Sequence, residues 1–294
     1  MKRKAILLFA SVLVSMVLGA AVNNKGECGA PEPTEEHISV AKEMALNESR
    51  TSFSDDFALL TDVNVPVYVH IVSAKNKSSK VGSRFPLRPR VIGCHHQRRL
   101  QETQEKDVRA MITTMNDNYE NMGFQFTLKK IDYTVNVDWA GGQYGFAMKK
   151  QLRKGDYGTL NLYYVNTVAK SSTGAITGTC QFPNNRGNSG DNLISDGCVI
   201  RLDTMSNGQT TTHEVGHWLG LFHTFQGGCT GDGDMVADTP ACRPTWTCDE
   251  ETDTCPQLPG KDDVHNFMAY GNCRNWFTDG QAKRARSQYQ FYRA

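Results

Sequence analysis

The stretch His213-Glu-Val-Gly-His217-Trp-Leu-Gly220-Leu-Phe-His223 sets the reading of this chain. Residues four apart on a helix lie about 40° apart around its axis, so His213 and His217 point the same way, one turn apart, and can grip one metal ion. Val215 and Leu219 point away from them, toward a core. Two ligands on one helix cannot supply a third from the same direction, so the helix must stop. Gly220 permits the turn without a Cβ penalty, and His223 returns from the other side. Three neutral imidazoles suit Zn²⁺ and leave a fourth position for water. Water on zinc has a pKa of about 7, against nearly 16 in bulk. Glu214, next to the first ligand, can take that proton and pass it to a leaving amine. With 8 His and 26 Gly in 294 residues, the chance of these five positions arising at random is on the order of 10⁻⁵. That sets aside three unrelated surface histidines. The other histidines earn no such reading: His70, His95, His96 and His265 read as structural or exposed, and His37 falls in the leader.

Working outward, Val108, Met111, Ile112, Met115, Tyr119 and Met122 recur at helical spacing and predict a core-facing helix that stops at Gly123. Strands are predicted over Val65–Val72, with Pro66 near its start, and over 124–131, 159–165, 174–182 and 198–202. Thr278-Asp-Gly-Gln281 has capping-box spacing and opens a last helix to about Tyr292. Strands with two long helices in one domain predict an α/β sandwich without internal repeats. Residues 73–100 carry eight Lys or Arg and no acidic residue. They show no period and read as a long basic loop, with Arg98-Arg99 as a candidate processing site. Within it, 80–100 is either a genuine loop or sequence translated from a misplaced gene boundary.

The chain opens with Lys2-Arg3-Lys4, an apolar run from Ala5 to Leu18 and Gly19-Ala-Ala21, the three parts of a signal peptide over 1–21. The alternative is an uncleaved anchor, but the run falls short of the roughly 20 apolar residues a bilayer span needs. The protein is therefore expected to be secreted and extracellular, free of the membrane once the signal is removed. A net charge of +1 gives no case for nucleic acid as a partner. Residues 22–62 form a polar leader with a short helical pattern near Ile38–Leu46 and too few apolar residues for a core of its own. The sequons at Asn47 and Asn76 are candidate glycosylation sites. In an exported chain, nine cysteines read mainly as disulfides, and an odd count leaves at least one thiol over. Cys180 and Cys198 could pair between neighbouring strands.

Beyond the first motif, His213–Cys229, Ala237-Asp-Thr-Pro-Ala241, His265-Asn-Phe-Met268-Ala-Tyr270 and Phe277-Thr-Asp-Gly-Gln281 closely resemble the pappalysin family of metzincin zinc peptidases. The likeness is greatest to its small secreted members, the ulilysin-like and fungal extracellular metalloproteinases. It spans roughly 102–294 and is strongest from 197 onward. The resemblance implies a secreted zinc metalloendopeptidase, a hydrolase of protein or peptide substrates, with one catalytic Zn²⁺ on His213, His217 and His223 and Glu214 as general base. It implies a metzincin catalytic domain over 63–294. An upper subdomain (about 63–223) carries a twisted mixed sheet, a backing helix over 103–122 and the active-site helix. An irregular, disulfide-stapled lower subdomain (about 224–294) ends in a helix. Met268 becomes the floor under the zinc, and Tyr270 a support for the reaction's tetrahedral intermediate. Bridges Cys229–Cys255 and Cys248–Cys273 follow the family's arrangement, which leaves Cys242 without a partner. Small members also bind calcium after the third histidine. Here Asp232, Asp234, Asp238 and Thr239 offer oxygen ligands, a solvated acidic turn being the alternative.

Cys28-Gly29, followed by Pro31-Glu-Pro33, looks like the start of the family's pro-segment over 22–62. Its thiolate could hold the zinc in place of water and keep a zymogen latent; the alternative is a bridge from Cys28 to another cysteine such as Cys94. A substrate is expected to lie extended along the sheet's edge near Gly174–Thr179, and the protein to act as a monomer. The rival readings are a secreted binding protein on a dead protease fold, which the intact Glu214 and histidines oppose, and a structural zinc site, which would prefer four protein ligands and cysteine.

Overall fold

The computed structural model describes residues 27–49, 62–74, 93–168 and 176–294. The signal segment and Asn76 lie outside the described residues, as do the side chains of Cys94, His95, His96 and Arg98-Arg99. In chain order the strands are β1 (Glu27–Cys28), β2 (Val63–Ser73), β3 (Phe124–Val135), β4 (Leu160–Val165), β5 (Ile176–Cys180) and β6 (Cys198–Arg201). The helices are α1 (Glu35–Glu48), α2 (Gly93–Tyr119), α3 (Val137–Ala140), α4 (Gly145–Leu152), α5 (Gly190–Ser195), α6 (Gln209–Trp218) and α7 (Asp279–Tyr292).

The strands form one mixed sheet in the order β1-β5-β6-β4-β2-β3. Every neighbouring pair is parallel except β5 with β6. β4 (LNLYYV) is buried along its whole length, as a central parallel strand covered on both faces must be. Pro66 lies in β2 but before β4 begins to pair at Val67, so its missing N–H falls where β2 has a neighbour on one side only. The helical stripe predicted for α2 is the buried one: Val108, Met111, Met115 and Tyr119 pack against β2, β3 and β4. The helix tightens into a 3₁₀ turn over Glu120–Met122 and ends at Gly123, which is left-handed with φ 68°.

Two expectations change. The backing helix begins at Gly93, so the end of the basic stretch is helix rather than loop. The leader also docks on the body. β1 extends the sheet at β5, and α1 lays Ala41 against Phe182 and Phe222. Glu48 meets the buried Arg284 of α7 at 2.9 Å. The described part of the leader thus packs on the core of the body.

Below α6 the chain is irregular from Thr224 to Phe277, and bridges join Cys229 to Cys255 and Cys248 to Cys273. A third joins Cys180 of β5 to Cys198 of β6, which are register partners. Cys242 is buried and free. The helix α7 starts with the predicted box: the Thr278 hydroxyl accepts from Gln281 N–H and the Gln281 side chain accepts from Thr278 N–H.

Candidate active site

The helix α6 delivers His213 and His217 on one face, and the chain turns back at Gly220 with φ +88°. A Cβ on Gly220 would also meet Gln288 of α7 at 2.7 Å, so the glycine serves close packing as well as the turn. Below the turn, Trp218 donates from Nε1 to Asp196, and the Arg293 guanidinium lies over its ring at 3.7 Å. That pins the end of the helix.

His213 donates from Nδ1 to Phe267 O at 2.6 Å, and His217 from Nδ1 to Leu221 O at 2.8 Å. A carbonyl can only accept, so these contacts fix the tautomers and leave Nε2 with a free lone pair. His223 stacks on Phe225 with centroids 4.6 Å apart. The three Nε2 atoms converge at separations of 3.2, 3.2 and 3.3 Å. Nitrogens bound tetrahedrally to zinc at about 2.0–2.1 Å stand about 3.3–3.4 Å apart, so the cluster fits the ion without rearrangement. Burial keeps all three rings neutral, with His217 pushed down to about 4 and the other two also lowered. Neutral imidazole is the form that ligates.

Cys28 Sγ lies 3.3 Å from His217 Nε2 and completes a group of four ligand atoms with the histidines, all within 4.8 Å of one another. The leader holds it there: Gly29 N–H donates to Gly178 O, and Thr179 Oγ1 donates to Gly29 O, each at 2.8 Å. Burial, then the Glu214 carboxylate, push its thiol well up. Only a cation among the histidines would reverse that preference and hold it as thiolate.

Glu214 is fully buried, and no N–H or O–H among the described residues donates to its carboxylate; the Cys28 thiol faces it. Burial pushes its pKa up to about 8, while Cys28 and the Arg274 guanidinium pull it back. Its side chain lies against the backbone of Gly178 on β5. Met268 is fully buried beneath α6, and a Cβ on Gly216 would come within 2.4 Å of its Sδ. Tyr270 flanks His223 with ring centroids 5.3 Å apart.

Around this centre the remaining motif residues form one scaffold. Asn266 and Gln281 exchange amide hydrogen bonds at 2.8 and 3.0 Å, and Asn266 Oδ1 also accepts from Met268 N–H. The turn carrying Met268 is thereby tied to the start of α7. Asp238 caps the same helix, accepting from Thr278 Oγ1 and Gly280 N–H. Asp234 accepts from Thr239 Oγ1 and Val236 N–H, and Asp232 pairs with Lys42 of the leader. Among the described residues these carboxylates do not form a group of three His, Cys, Asp or Glu ligands; His213, His217, His223 and Cys28 do. Asn47 is exposed in the last turn of α1, and His265 bonds Cys273 O and Glu250. The sequence carries no signal for Arg274 as a neighbour of the site, nor for the particular contacts of Gly178, Asn266 and Gln281, because these come from distant segments.

With this geometry in hand, the comparisons with known proteins settle the family. An extracellular metalloprotease of Neurospora crassa is 37% identical over 98% of this chain and 96% of its own length. One from Colletotrichum graminicola is 35% identical over 97% of each. The M43 peptidase model, described as pregnancy-associated plasma protein-A, matches residues 150–290. The chain belongs to the M43, or pappalysin, metalloprotease family. It is a metalloendopeptidase, a hydrolase built around a catalytic metal. Mature mirolysin of Tannerella forsythia, solved with a cleaved peptide, superposes with a TM-score of 0.55 at 22% identity, covering 78% of this chain and 92% of its own. That match identifies the metzincin fold. No described helix is long and apolar enough to cross a membrane.

Proposed function

We propose that this M43 protein is a secreted zinc endopeptidase that cleaves extended protein substrates with Glu214 as its general base, and that Cys28 keeps the precursor latent. The observation that carries the reading is the convergence of His213, His217 and His223 Nε2 at 3.2–3.3 Å beside a buried Glu214 that no N–H or O–H among the described residues holds. The relatives named extracellular metalloproteases support secretion, as does the signal-like N-terminus.

Zinc, when bound, supplies the Lewis acid that polarises the scissile carbonyl and acidifies water. Glu214 takes a proton from the attacking water as the C–O bond forms, and returns it to the nitrogen as the C–N bond breaks. Its buried carboxylate suits the task, because a base poised near neutrality accepts and releases the proton readily. Tyr270 stands at the rim to donate to the carbonyl oxygen as charge builds there. Met268 holds the floor, and the Nδ1 braces from Phe267 O and Leu221 O keep the ligands aimed. The substrate would add along β5, the strand the leader now covers at Gly178 and Thr179. The leader therefore blocks both the strand edge and the fourth ligand position. Of the expected glycosylation sites, Asn47 is accessible on α1.

Hydrolysis of a denatured protein by the processed chain, with and without a zinc chelator, tests the reading. Activity should vanish on chelation and return with zinc; chelator-resistant hydrolysis, or none in the zinc-loaded protein, refutes it.

A further inference from the structure

Beside the histidine cluster lies a cavity of about 310 Å³ whose lining includes Gln209, Thr210, Trp246, Tyr270 and Arg274 together with His213 and Glu214 of the centre itself. We propose that this cavity receives the side chain of the residue that follows the cleaved bond, and that Arg274 makes it select an acidic one.

The first half of the inference rests on the function proposed above. Glu214 must hand its proton to the leaving nitrogen, so that nitrogen lies next to Glu214. Glu214 also lines the cavity, so the side chain that can enter it is the one on the residue bearing that nitrogen.

The second half is a matter of charge and unmet donors. Among the described residues lining the cavity, Glu214 is the one carboxylate, and the cations are Arg201 and Arg274. Arg201 is already neutralised, its Nε lying 2.6 Å from Asp203. Arg274 has no ion-pair partner among the described residues, and its Nε has no hydrogen-bond acceptor. Trp246 Nε1, in the same wall, also lacks one. Two buried donor groups without acceptors call for an explanation, and a ligand acceptor provides it. The backbone here is held firmly: Gln209 Nε2 donates to both Asn272 O and Arg274 O, at 3.0 and 2.9 Å. An apolar side chain would leave the donors dry, and a lysine or arginine would meet like charge. Glutamate or aspartate supplies what is missing, as a planar carboxylate matched to a guanidinium fork.

The test uses the zinc-loaded protein matured by release of its leader. It is given peptides differing only at the residue after the cleaved bond, as Glu, Gln, Leu or Lys. The expected kcat/KM favours Glu over Gln by roughly tenfold or more, and over Lys by more again. Arg274→Gln should abolish the Glu preference, Arg274→Lys should keep part of it, and Arg274→Glu should turn it toward Lys. Fluorescence-polarisation binding of the same peptides to the Glu214→Gln protein should follow the same order without any turnover. A preference for Leu or Lys in the wild type overturns the inference. So does an Arg274→Gln protein whose pH profile moves while its Glu-to-Gln ratio stays, because Arg274 would then act through Glu214 alone. Cleavage with no preference refutes this inference and leaves the protease reading standing. Cleavage of no peptide at all refutes both.

Discussion

Gly178→Ala should disable the enzyme while leaving its metal in place. Gly178 lies in β5, paired with Ile200, and its φ is not positive, so the backbone itself would not strain an alanine. Its absent side chain is filled by Glu214. A Cβ there would stand 2.6 Å from both Cγ and Oε1 of Glu214 and 2.7 Å from Cδ. Carbon contacts are comfortable at about 3.5–4.0 Å, so the carboxylate would have to retreat by roughly 1 Å. A displacement of that size at the reacting groups costs about 10²-fold in rate. Overpacking of this kind also lowers stability by about 1–3 kcal/mol. The histidines escape, because their braces are Phe267 O and Leu221 O, away from β5. The assay is kcat/KM on an unfolded protein, beside zinc per chain and a thermal melt. An alanine variant within threefold of wild type, folded and metal-loaded, refutes the reasoning. Loss of zinc would also refute it, by placing the strain on the ligands and not on the base.

Other perturbations reach other parts of the account. Cys28→Ser in the unprocessed precursor should raise activity measurably, though below that of the leader-free form because β1 still covers β5; a fully latent variant would leave strand blockage as the whole cause. Gln281→Leu removes the amide pair with Asn266 and should cost about 1–3 kcal/mol, read as a lower urea midpoint, since two buried hydrogen bonds are lost and Thr278 N–H loses its acceptor; an unchanged midpoint would show the tie to be idle. Lys149 is buried, and burial pushes its pKa from 10.5 down to about 8. The unfolded chain then holds more protons than the folded one between those values, so stability should rise as pH climbs from about 8 to 10.5. Urea titrations should show that rise in the wild type and not in Lys149→Met; a pH-independent difference between the two contradicts it.

The parts of this molecule that were legible in the sequence are those whose cause is local. Helical spacing fixed which face of α2 is buried, and the box at Thr278 and Gln281 marked where α7 begins. Histidine spacing with one glycine located the metal cluster. The start of α2 at Gly93 was hidden because its first turns carry basic residues without an apolar period. The docking of α1 was hidden because Ala41 finds Phe182 and Phe222 far along the chain. Asp238 stood out as an oxygen ligand, but that it caps a helix depends on Thr278 and Gly280 arriving beside it. Arg274 carries no local signal at all, and Gly178 is marked only as part of the expected substrate edge. Their importance comes from a cavity and a clearance, and both exist only once the sheet and the lower segment are assembled.

The central claim is that His213, His217 and His223 hold zinc while Glu214 moves the proton. Zinc stoichiometry and turnover measured together on matured wild type, Glu214→Gln and His217→Ala test it most directly. One zinc per chain in both wild type and Glu214→Gln is expected, with activity in the latter reduced by about 10²–10⁴-fold or more, and loss of both zinc and activity in His217→Ala. A zinc-loaded Glu214→Gln protein that cleaves at near wild-type rate would contradict the claim, as would full zinc binding by His217→Ala.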